Sequence, residues 1–499
     1  MKRFTLYCSL LAVHGSLLAD PAMQDAGKTL AAVDEIKAAV ELFVNARTAG
    51  SSDDFIVAVA KVKVMADAGQ TFFRFLLAVY AAQEPLCGLS EEQRKRYLDE
   101  GRPLMRNHAE TGNPLAQYLI GLDCDFNLGK TDEGLAWLER AAEAGQALAQ
   151  NSLGMKHYLG QGMPQDYGKA AEYFRKAALL GDMNGEYNLA AMYAQGQGVP
   201  KDDEMAFLLY KRAAEKGHSS AMNNLGWMCQ EGRGTDKDLA GAAEWYRRSA
   251  ESGNADGQFN YGFVCARGRG VPRNPRTAGL WYWRAAERGH LEAQVNLAML
   301  YRDGAGIKRN ELKALEWFAK AAERNHALAQ FFIGQMYETG RGVPKKDDER
   351  AFNWYKKSAD QNNPHGINAL GTFHYRGKVV AKDYAQAEAL YRRAAEMGFS
   401  AAQNNLGMMY VRGESVPQDH KLAAEWFEKA VRQGTADAAY NLAQLYEYGQ
   451  GVKASRIRAV ELCKQAARKG HVAATEWLAG NGHTVWADRD EDQKTENKE

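Results

Sequence analysis

One 36-residue period runs through most of this chain and restricts what it can fold into. Segment endings recur in register between Gly145 and Gly470, among them R-A-A-E-A-G, K-R-A-A-E-K-G and W-R-A-A-E-R-G. Asn325 and Asn362 replace the closing glycine in two units, and the second of these contains one inserted residue. A period of roughly 20–50 residues is typical of stacked arrays, in which neighbouring units complete a core that no unit buries alone. The period therefore predicts a solenoid.

Residues 218–253 show how one unit is built, and repeat positions are counted from His218 and its equivalents. The first half places apolar residues at spacings i, i+4, i+7 and i+8, which predicts an amphipathic helix: Ala221, Leu225, Met228 and Cys229. Position 15 follows at the expected C-terminus of this helix, where glycine adopts positive φ without strain. A glycine occupies it in each clean unit: Gly160, Gly196, Gly232, Gly268, Gly304, Gly340, Gly377, Gly413 and Gly449.

The second half of each unit predicts a second helix with its own start signal. Position 21 carries a favoured N-cap residue, worth about 1 kcal/mol over alanine: Asp166, Asp202, Asp238, Asn274, Asn310, Asp383, Asp419 and Ser455. A large aromatic residue follows in many units, and then a small pair such as Ala213 and Ala214: Trp137, Trp245, Trp281, Trp317, Trp354 and Trp426 are the tryptophans. We interpret these tryptophans as core residues between repeats and not as part of a cofactor site.

The combined motifs A-x-x-x-L-G-x-x-Y, G-x-G-V-x-x-D and A-x-x-W-Y-x-K-A-A-x-x-G resemble the Sel-1-like repeat, a relative of the tetratricopeptide repeat. A shortened copy spans residues 113–145, and clean copies begin at Gln146, Asp182, His218, Asn254, His290, His326, Asn363, Phe399 and Thr435. The resemblance implies an all-α, right-handed superhelix of about ten helix-turn-helix repeats and a role as an adaptor or scaffold in protein complexes. It also implies frequent export in bacteria, with roles in envelope regulation, exopolysaccharide assembly or contact with host cells.

The first residues have the features of a secretory signal. Lys2 and Arg3 precede the apolar run Phe4–Val13, which is too short to span a bilayer, and Ala19 is a plausible cleavage point. We therefore expect a periplasmic or secreted bacterial protein. No later stretch approaches the ~20 apolar residues that a membrane helix needs, so we expect no membrane insertion of the mature chain.

The two ends of the chain depart from the repeat pattern. A capping box at Ser90 and Gln93 indicates a helix before the first clear repeat. The charged C-terminus lacks apolar residues, which predicts disorder. The expected regions are a signal peptide at 1–19, degenerate capping repeats at 20–112, the solenoid at 113–470, a capping helix at 471–487 and a disordered tail at 488–499.

Composition and cysteine placement narrow the function further. The formal net charge is +1, so no bulk electrostatic attraction favours nucleic acid, and we expect no nucleic-acid partner. Cys124, Cys229 and Cys265 occupy position 12, where several other units carry tyrosine. Because equivalent helices of adjacent repeats lie about 10 Å apart, these thiols are too distant for disulfides and are expected to be free and buried.

Catalysis finds little support in the motifs. The chain contains no S-x-x-K, G-x-S-x-G, H-E-x-x-H or G-x-x-x-x-G-K-[ST] motif, so we expect neither an enzyme nor a bound cofactor or metal. The histidines at position 1 are interpreted as helix-entry residues, because successive imidazoles are too far apart to share a metal: His218, His290, His326 and His471. A hydrolase of cell-wall or β-lactam substrates stays a remote alternative.

Binding finds more support, because aromatic and methionine residues recur at positions 3, 6, 10 and 13 of the first helix. If that helix faces the hollow of the superhelix, they form a groove for an extended or helical peptide: Tyr158, Tyr187, Trp227, Phe259, Phe263, Met299, Phe331, Tyr375, Met408 and Tyr440. Packing between neighbouring repeats is the other interpretation. The same two readings, ligand clamp and inter-repeat hydrogen bond, apply to the position-7 asparagines: Asn188, Asn224, Asn260, Asn296, Asn405 and Asn441.

Basic residues collect at the loop edges of the middle repeats: Arg233, Arg267, Arg269, Arg302, Arg341, Arg376, Lys378 and Arg412. Residues 254–289 hold six arginines against Asp256 and Glu287, a net charge of +4. Such a rim would steer an acidic protein segment or an anionic polysaccharide, unless it is only a solvated edge. The sequence thus predicts a non-enzymatic, exported scaffold that binds a protein segment in its groove. A scaffold for envelope polysaccharide is the alternative.

Overall fold

The computed structural model describes residues 52–67, 70–81 and 87–485. The expected signal peptide and the charged tail lie outside this part of the chain. The longer secondary-structure elements in this part of the chain are α-helices. The chain divides after His290 into two compact units.

Unit 1 contains thirteen of the described helices, which pair consecutively along the chain. They are α1 (Ser52–Asp67), α2 (Thr71–Ala81), α3 (Glu91–Glu110), α4 (Pro114–Phe126), α5 (Thr131–Glu143), α6 (Ala147–Leu159), α7 (Tyr167–Leu179), α8 (Met183–Gln195), α9 (Asp203–Glu215), α10 (Ser219–Glu231), α11 (Leu239–Glu251), α12 (Ala255–Arg267) and α13 (Pro275–Glu287).

Unit 2 repeats the same helix-pair architecture in eleven described helices. They are α14 (Leu291–Asp303), α15 (Glu311–Glu323), α16 (Ala327–Thr339), α17 (Asp348–Asp360), α18 (Pro364–Arg376), α19 (Tyr384–Glu396), α20 (Ser400–Arg412), α21 (His420–Arg432), α22 (Ala436–Tyr448), α23 (Arg456–Ala467) and α24 (Val472–Gly480).

The ends of the helices follow the local signals in the sequence. Gly232 terminates α10 with φ of 69°, and the glycines predicted at the same position also have positive φ. Asn325 and Asn362, which replace the closing glycine, adopt φ of 65° and 59°, a conformation that asparagine tolerates better than most residues. The Asp238 carboxylate accepts a hydrogen bond from the Gly241 amide and caps α11, and all eight predicted second-helix caps make such a bond.

Each helix pair closes around a buried apolar stripe. Ala221, Leu225 and Met228 of α10 are almost fully buried, as their spacing predicts. Gly226 lets the second helix approach, since a Cβ at this place would lie 2.8 Å from the Tyr246 ring. Trp281 is also buried, whereas Trp245 is half-buried. The buried apolar residues of unit 1 form separate clusters along the stack, whereas those of residues 351–478 in unit 2 form one cluster.

The segment before the first repeat is helical where it is described. Ser90 caps α3, and the Ser90 and Gln93 side chains form the predicted reciprocal capping box. Arg102 on α3 forms an ion pair with the fully buried Asp123 of α4 at 2.7 Å, which ties this segment to the first repeat. No helix in the described ranges has both the length and the apolar character to cross a membrane.

The prediction of an all-α solenoid is confirmed by the consecutive helix pairs. Its right-handed twist and its domain boundaries stay predictions.

Candidate functional site

The first helices of the repeats contact one another as well as the second helices. Successive first helices contact one another, as α10 and α12 do in unit 1 and α16 and α18 do in unit 2. The second helices pack mainly against the first helices on either side. Within each unit, the face of the first helices that the second helices leave uncovered is the candidate binding surface.

Aromatic residues at position 6 pack between repeats. The Tyr187 ring stacks on His218 with centroids 4.4 Å apart, and the Phe259 ring stacks on His290 at 4.6 Å. In unit 2, Phe331 contacts the His365 ring of the next repeat at 5.0 Å and is likewise half-buried. A separation of 31 residues along the chain joins Tyr187 to His218 and Phe259 to His290, and this spacing was a usable signal in the sequence. These rings belong to the joints between repeats.

The position-7 asparagines form a ladder whose partner lies one position earlier in the preceding repeat. Asn188 donates to the Asn151 side chain at 2.9 Å, and Asn260 donates to Asn223 at 2.8 Å. Asn224 faces two tyrosines of the preceding repeat, Tyr187 at position 6 and Tyr210 on the second helix, and burial raises the pKa of both. The ladder therefore joins repeats where position 6 is asparagine or tyrosine.

Two more asparagine pairs continue this ladder in unit 2. Asn405 donates to Asn368 and Asn441 donates to Asn404, both at 2.9 Å. Asn296 differs, since its side chain donates to the Glu292 carbonyl of its own helix at 2.9 Å. Inter-repeat hydrogen bonding thus accounts for most of the asparagine column.

Position 10 holds the most accessible aromatic residue of the predicted groove. Trp227 on α10 is 40% exposed, and the Arg233 guanidinium lies 4.9 Å from its ring centroid. Phe263 on α12 is half-buried, and Arg267 and Arg269 lie 5.8 Å and 5.5 Å from its ring centroid. These two rings occupy equivalent places on adjacent first helices.

Tyr158 and Met299 are less available than these two rings. The Tyr158 hydroxyl donates to the Gln197 side chain at 2.9 Å, and its ring makes an edge contact with Tyr167. Met299, in unit 2, is half-buried on α14. The predicted site residues of unit 1 therefore have different structural roles. Trp227 and Phe263 are neighbours on the free face, while Tyr158, Tyr187 and Phe259 connect repeats.

About half of the predicted basic rim is neutralised by internal ion pairs. Arg233 pairs with Asp203 at 2.6 Å and Arg302 with Asp303 at 2.7 Å. Lys378 contacts both Asp348 and Glu338, and Arg412 lies 3.9 Å from Glu414. Four rim arginines form no ion pair within the part of the chain that the structure describes: Arg267, Arg269, Arg341 and Arg376.

Three position-1 histidines are structural caps: His218, His326 and His471. The His218 Nδ1 atom accepts the Ala221 amide at 3.2 Å, and His326 and His471 cap their helices in the same way. Burial lowers the pKa of His218 to about 4. Because an accepting Nδ1 must be unprotonated, burial and capping both favour the neutral ring. No group of three potential metal-binding side chains occurs in the ranges the structure describes.

The position-12 cysteines are packing residues. Cys124, Cys229 and Cys265 are buried as predicted, and burial raises the pKa of each thiol. A thiol that stays protonated in an apolar layer behaves as a small hydrophobic group.

Comparison with known proteins agrees with the repeat register. The Sel1 repeat model matches ten consecutive segments, the first at residues 114–146 and the last at residues 436–471. Proteins built from Sel1 repeats are generally non-catalytic scaffolds, and the fold typically mediates protein–protein interaction. No curated protein matches this chain significantly.

Solved structures show the same similarity. A protective antigen of uropathogenic Escherichia coli with an SLR fold shares 30% identity at a TM-score of 0.65, over 84% of this chain and 89% of that one. A Sel1 repeat protein from Oxalobacter formigenes shares 32% identity at a TM-score of 0.48, over 62% of this chain and 90% of the other. Because ten consecutive repeats match the Sel1 model and fold as consecutive helix pairs, the chain belongs to the Sel1 repeat family.

Proposed function

We propose that this protein is an exported, non-enzymatic scaffold that binds an extended segment of a partner protein along the free face of its first helices. The observation that carries this proposal is the exposure of Trp227 beside Phe263, on adjacent helices whose other faces are buried. Exposed aromatic residues on a rigid surface are frequent anchors in protein interfaces. A segment that crosses α10 and α12 would meet both rings.

The repeat frame supplies the rigidity that such binding needs. Asn260 and Asn223 tie α12 to α10 with a 2.8 Å hydrogen bond. The Ser249 hydroxyl donates to the Ser219 carbonyl at 2.8 Å within the same pair of repeats. A surface fixed in this way loses little conformational entropy on binding, so more of the contact energy contributes to affinity.

The test is capture of partners by the full chain with and without the two exposed rings. Wild type and the double variant Trp227→Ala/Phe263→Ala are immobilised and exposed to an envelope extract of the source organism, and captured proteins are identified by mass spectrometry. We expect a protein that wild type retains and the variant loses. Phe259 is left unchanged because it packs against His290 and Tyr282.

Tyr448→Ala is the matched control, since it removes an aromatic ring that is 68% exposed on α22. Circular dichroism must show the same helicity for all three proteins. Equal capture by wild type and the double variant would contradict the groove proposal.

Export rests on the N-terminal sequence. Lys2 and Arg3 followed by the apolar run Phe4–Val13 support a cleaved signal. Cell fractionation and N-terminal sequencing of the mature protein test it. Cleavage near Ala19 with recovery outside the cytoplasm is the expected result. An intact N-terminus in the cytoplasmic fraction would overturn it.

Polysaccharide binding along the rim is the second candidate. Arg267 and Arg269 favour it, because both are exposed and form no ion pair within the described ranges. The internal pairing of Arg233, Arg302 and Lys378 weighs against a long continuous row of free cations.

A further inference from the structure

The loop after each first helix carries a recurrent ion pair. Arg233 at position 16 reaches back to Asp203, in the first turn of the preceding repeat's second helix, with contacts of 2.6 Å and 3.2 Å. Lys378 occupies the same position in unit 2 and contacts the equivalent Asp348 at 2.8 Å. The neighbouring repeat can therefore neutralise a cation at position 16, as it does for Arg233 and Lys378.

Arg269 occupies position 16 of the next repeat and lacks this partner. The residue equivalent to Asp203 is Leu239, which is 37% exposed. The loop itself is placed in the same way in both repeats. A Cβ added at Gly234 would lie 2.0 Å from the Asp203 carbonyl oxygen, and one at Gly270 would lie 1.9 Å from that of Leu239. The loop has the same placement as in the preceding repeat, but Leu239 provides no carboxylate, so the Arg269 charge faces solvent.

A second arginine reinforces this site. Arg267 is exposed at the C-terminal end of α12, and the two guanidinium groups lie 5.8 Å and 5.5 Å from the Phe263 ring centroid. Neither forms an ion pair within the described ranges. Contact with an aromatic ring orients a guanidinium and leaves its N–H groups available to a carboxylate.

We infer that Arg267, Arg269 and Phe263 form an anchor for acidic side chains of the bound protein segment. This inference rests on the proposed function and specifies the chemistry of its partner: an Asp- or Glu-containing stretch with an apolar residue nearby. Arginine pairs bidentately with carboxylates, which gives the contact direction as well as strength. Trp227, one repeat away on the same face, would accept the apolar residue.

A protein segment fits this site better than a polysaccharide. A repetitive polyanion gains most from an evenly spaced row of free cations, whereas Arg233 in the adjacent repeat is already paired with Asp203. A peptide needs only one local cluster of charge beside a hydrophobic contact. The local combination of two unpaired arginines and two accessible rings matches the peptide.

The experiment is selection of a random twelve-residue peptide library on the full chain. Three immobilised proteins are compared: wild type, Arg267→Gln/Arg269→Gln, and Arg341→Gln/Arg376→Gln. The last is a matched control, because Arg341 and Arg376 occupy positions 16 and 14 in unit 2, are exposed, and remove the same two charges. Alginate binding by the same three proteins is measured in parallel.

We expect wild type and the control to enrich peptides with paired Asp or Glu residues next to an apolar residue. The Arg267→Gln/Arg269→Gln variant should lose this enrichment, and its affinity for a synthesised selected peptide should fall roughly 10- to 100-fold. The loss should also shrink as salt concentration rises.

Other outcomes separate the two proposals. Enrichment of the same apolar peptides, without acidic residues, by wild type and by Arg267→Gln/Arg269→Gln would keep the groove and overturn the acidic anchor. Equal losses in both arginine variants would show a general charge effect and overturn the site. Alginate binding that depends on Arg267 and Arg269, with no peptide enriched, would overturn the protein segment as occupant and with it the groove proposal.

Discussion

Two pairs of neighbouring repeats use the same frame and treat their loop edges differently. The open pair is residues 218–289 in unit 1, and the closed pair is residues 363–434 in unit 2. Both contain an asparagine rung between first helices, at 2.8 Å for Asn260 and Asn223 and at 2.9 Å for Asn405 and Asn368. The frame is therefore common to both.

The edges of the closed pair are bonded to each other. The Tyr375 hydroxyl donates to Glu414 at 2.8 Å and accepts from Arg412. The open pair has Arg267 and Arg269 at the corresponding loop edge and no carboxylate paired with them in the described ranges. Edge residues that satisfy one another contribute to stability, whereas unsatisfied ones on the same frame remain available for a partner.

The largest expected effect comes from the loop glycine of the open pair. Gly270→Val should lower the free energy of unfolding by about 3–4 kcal/mol, because the new Cβ meets the Leu239 carbonyl and φ is +73°. The closed pair already carries Val379 at this position with φ of 70°. Val379→Gly is the matched control and should change stability by less than about 1 kcal/mol. Urea unfolding followed by circular dichroism measures both, and similar values would remove this difference between the pairs.

The second-largest effect is a loss of stability in acid, which arises at the His218 cap of the open pair. The folded-state pKa of His218 is about 4, below the unfolded value near 6.5, so its stabilising contribution is complete above pH 6.5 and is lost as pH falls toward 4. The closed pair begins with Asn363, a cap that does not titrate. As pH falls from 7 to 4, the free energy of unfolding of His218→Asn should rise by roughly 2–3 kcal/mol relative to that of wild type. Unfolding at several pH values tests this, and parallel pH profiles would contradict it.

Breaking the rung should cost both pairs equally. Asn260→Ala and Asn405→Ala each leave a partly buried amide without its partner, which should cost about 1–2 kcal/mol. Asn296→Ala is the control, because Asn296 bonds only to its own helix in the described structure, and it should cost less than about 0.5 kcal/mol. Urea denaturation midpoints compare the three variants. A larger loss for Asn296→Ala would show that the rung is not the source of the effect.

The smallest expected effect on stability comes from substitutions at the loop edges of the two pairs. Tyr375→Phe removes the hydroxyl bonded to Glu414 and Arg412 and should cost about 0.5–1 kcal/mol. Arg269→Gln in the open pair should change stability by less than about 0.5 kcal/mol, because no ion pair is lost. Thermal unfolding measures the two, and equal losses would mean that both edges are structural.

Much of the frame could be predicted from single residues. The caps at Asp238 and Asn274, the left-handed Gly232 and the substitute Asn325 each have a local cause, so the sequence around them was sufficient. The 36-residue period predicted the stacking of helix pairs, and this was confirmed.

The candidate site was less predictable, because its contacts join different positions of adjacent repeats. Asn188 bonds Asn151, 37 residues earlier, so the asparagine column alone did not reveal its partner. Tyr187 and Trp227 both lie on first helices, yet the first is covered by His218 and the second is exposed. Burial of this kind depends on the neighbouring repeat and cannot be found from one helix.

The asparagine rungs also have a mechanical consequence. Each one fastens a repeat only to its immediate neighbour, so a pulling force on the chain ends would detach repeats singly and not all at once. Every released repeat of 36 residues would lengthen the chain by roughly 110–120 Å. Under a pulling force, the length of the chain would therefore grow in regular steps.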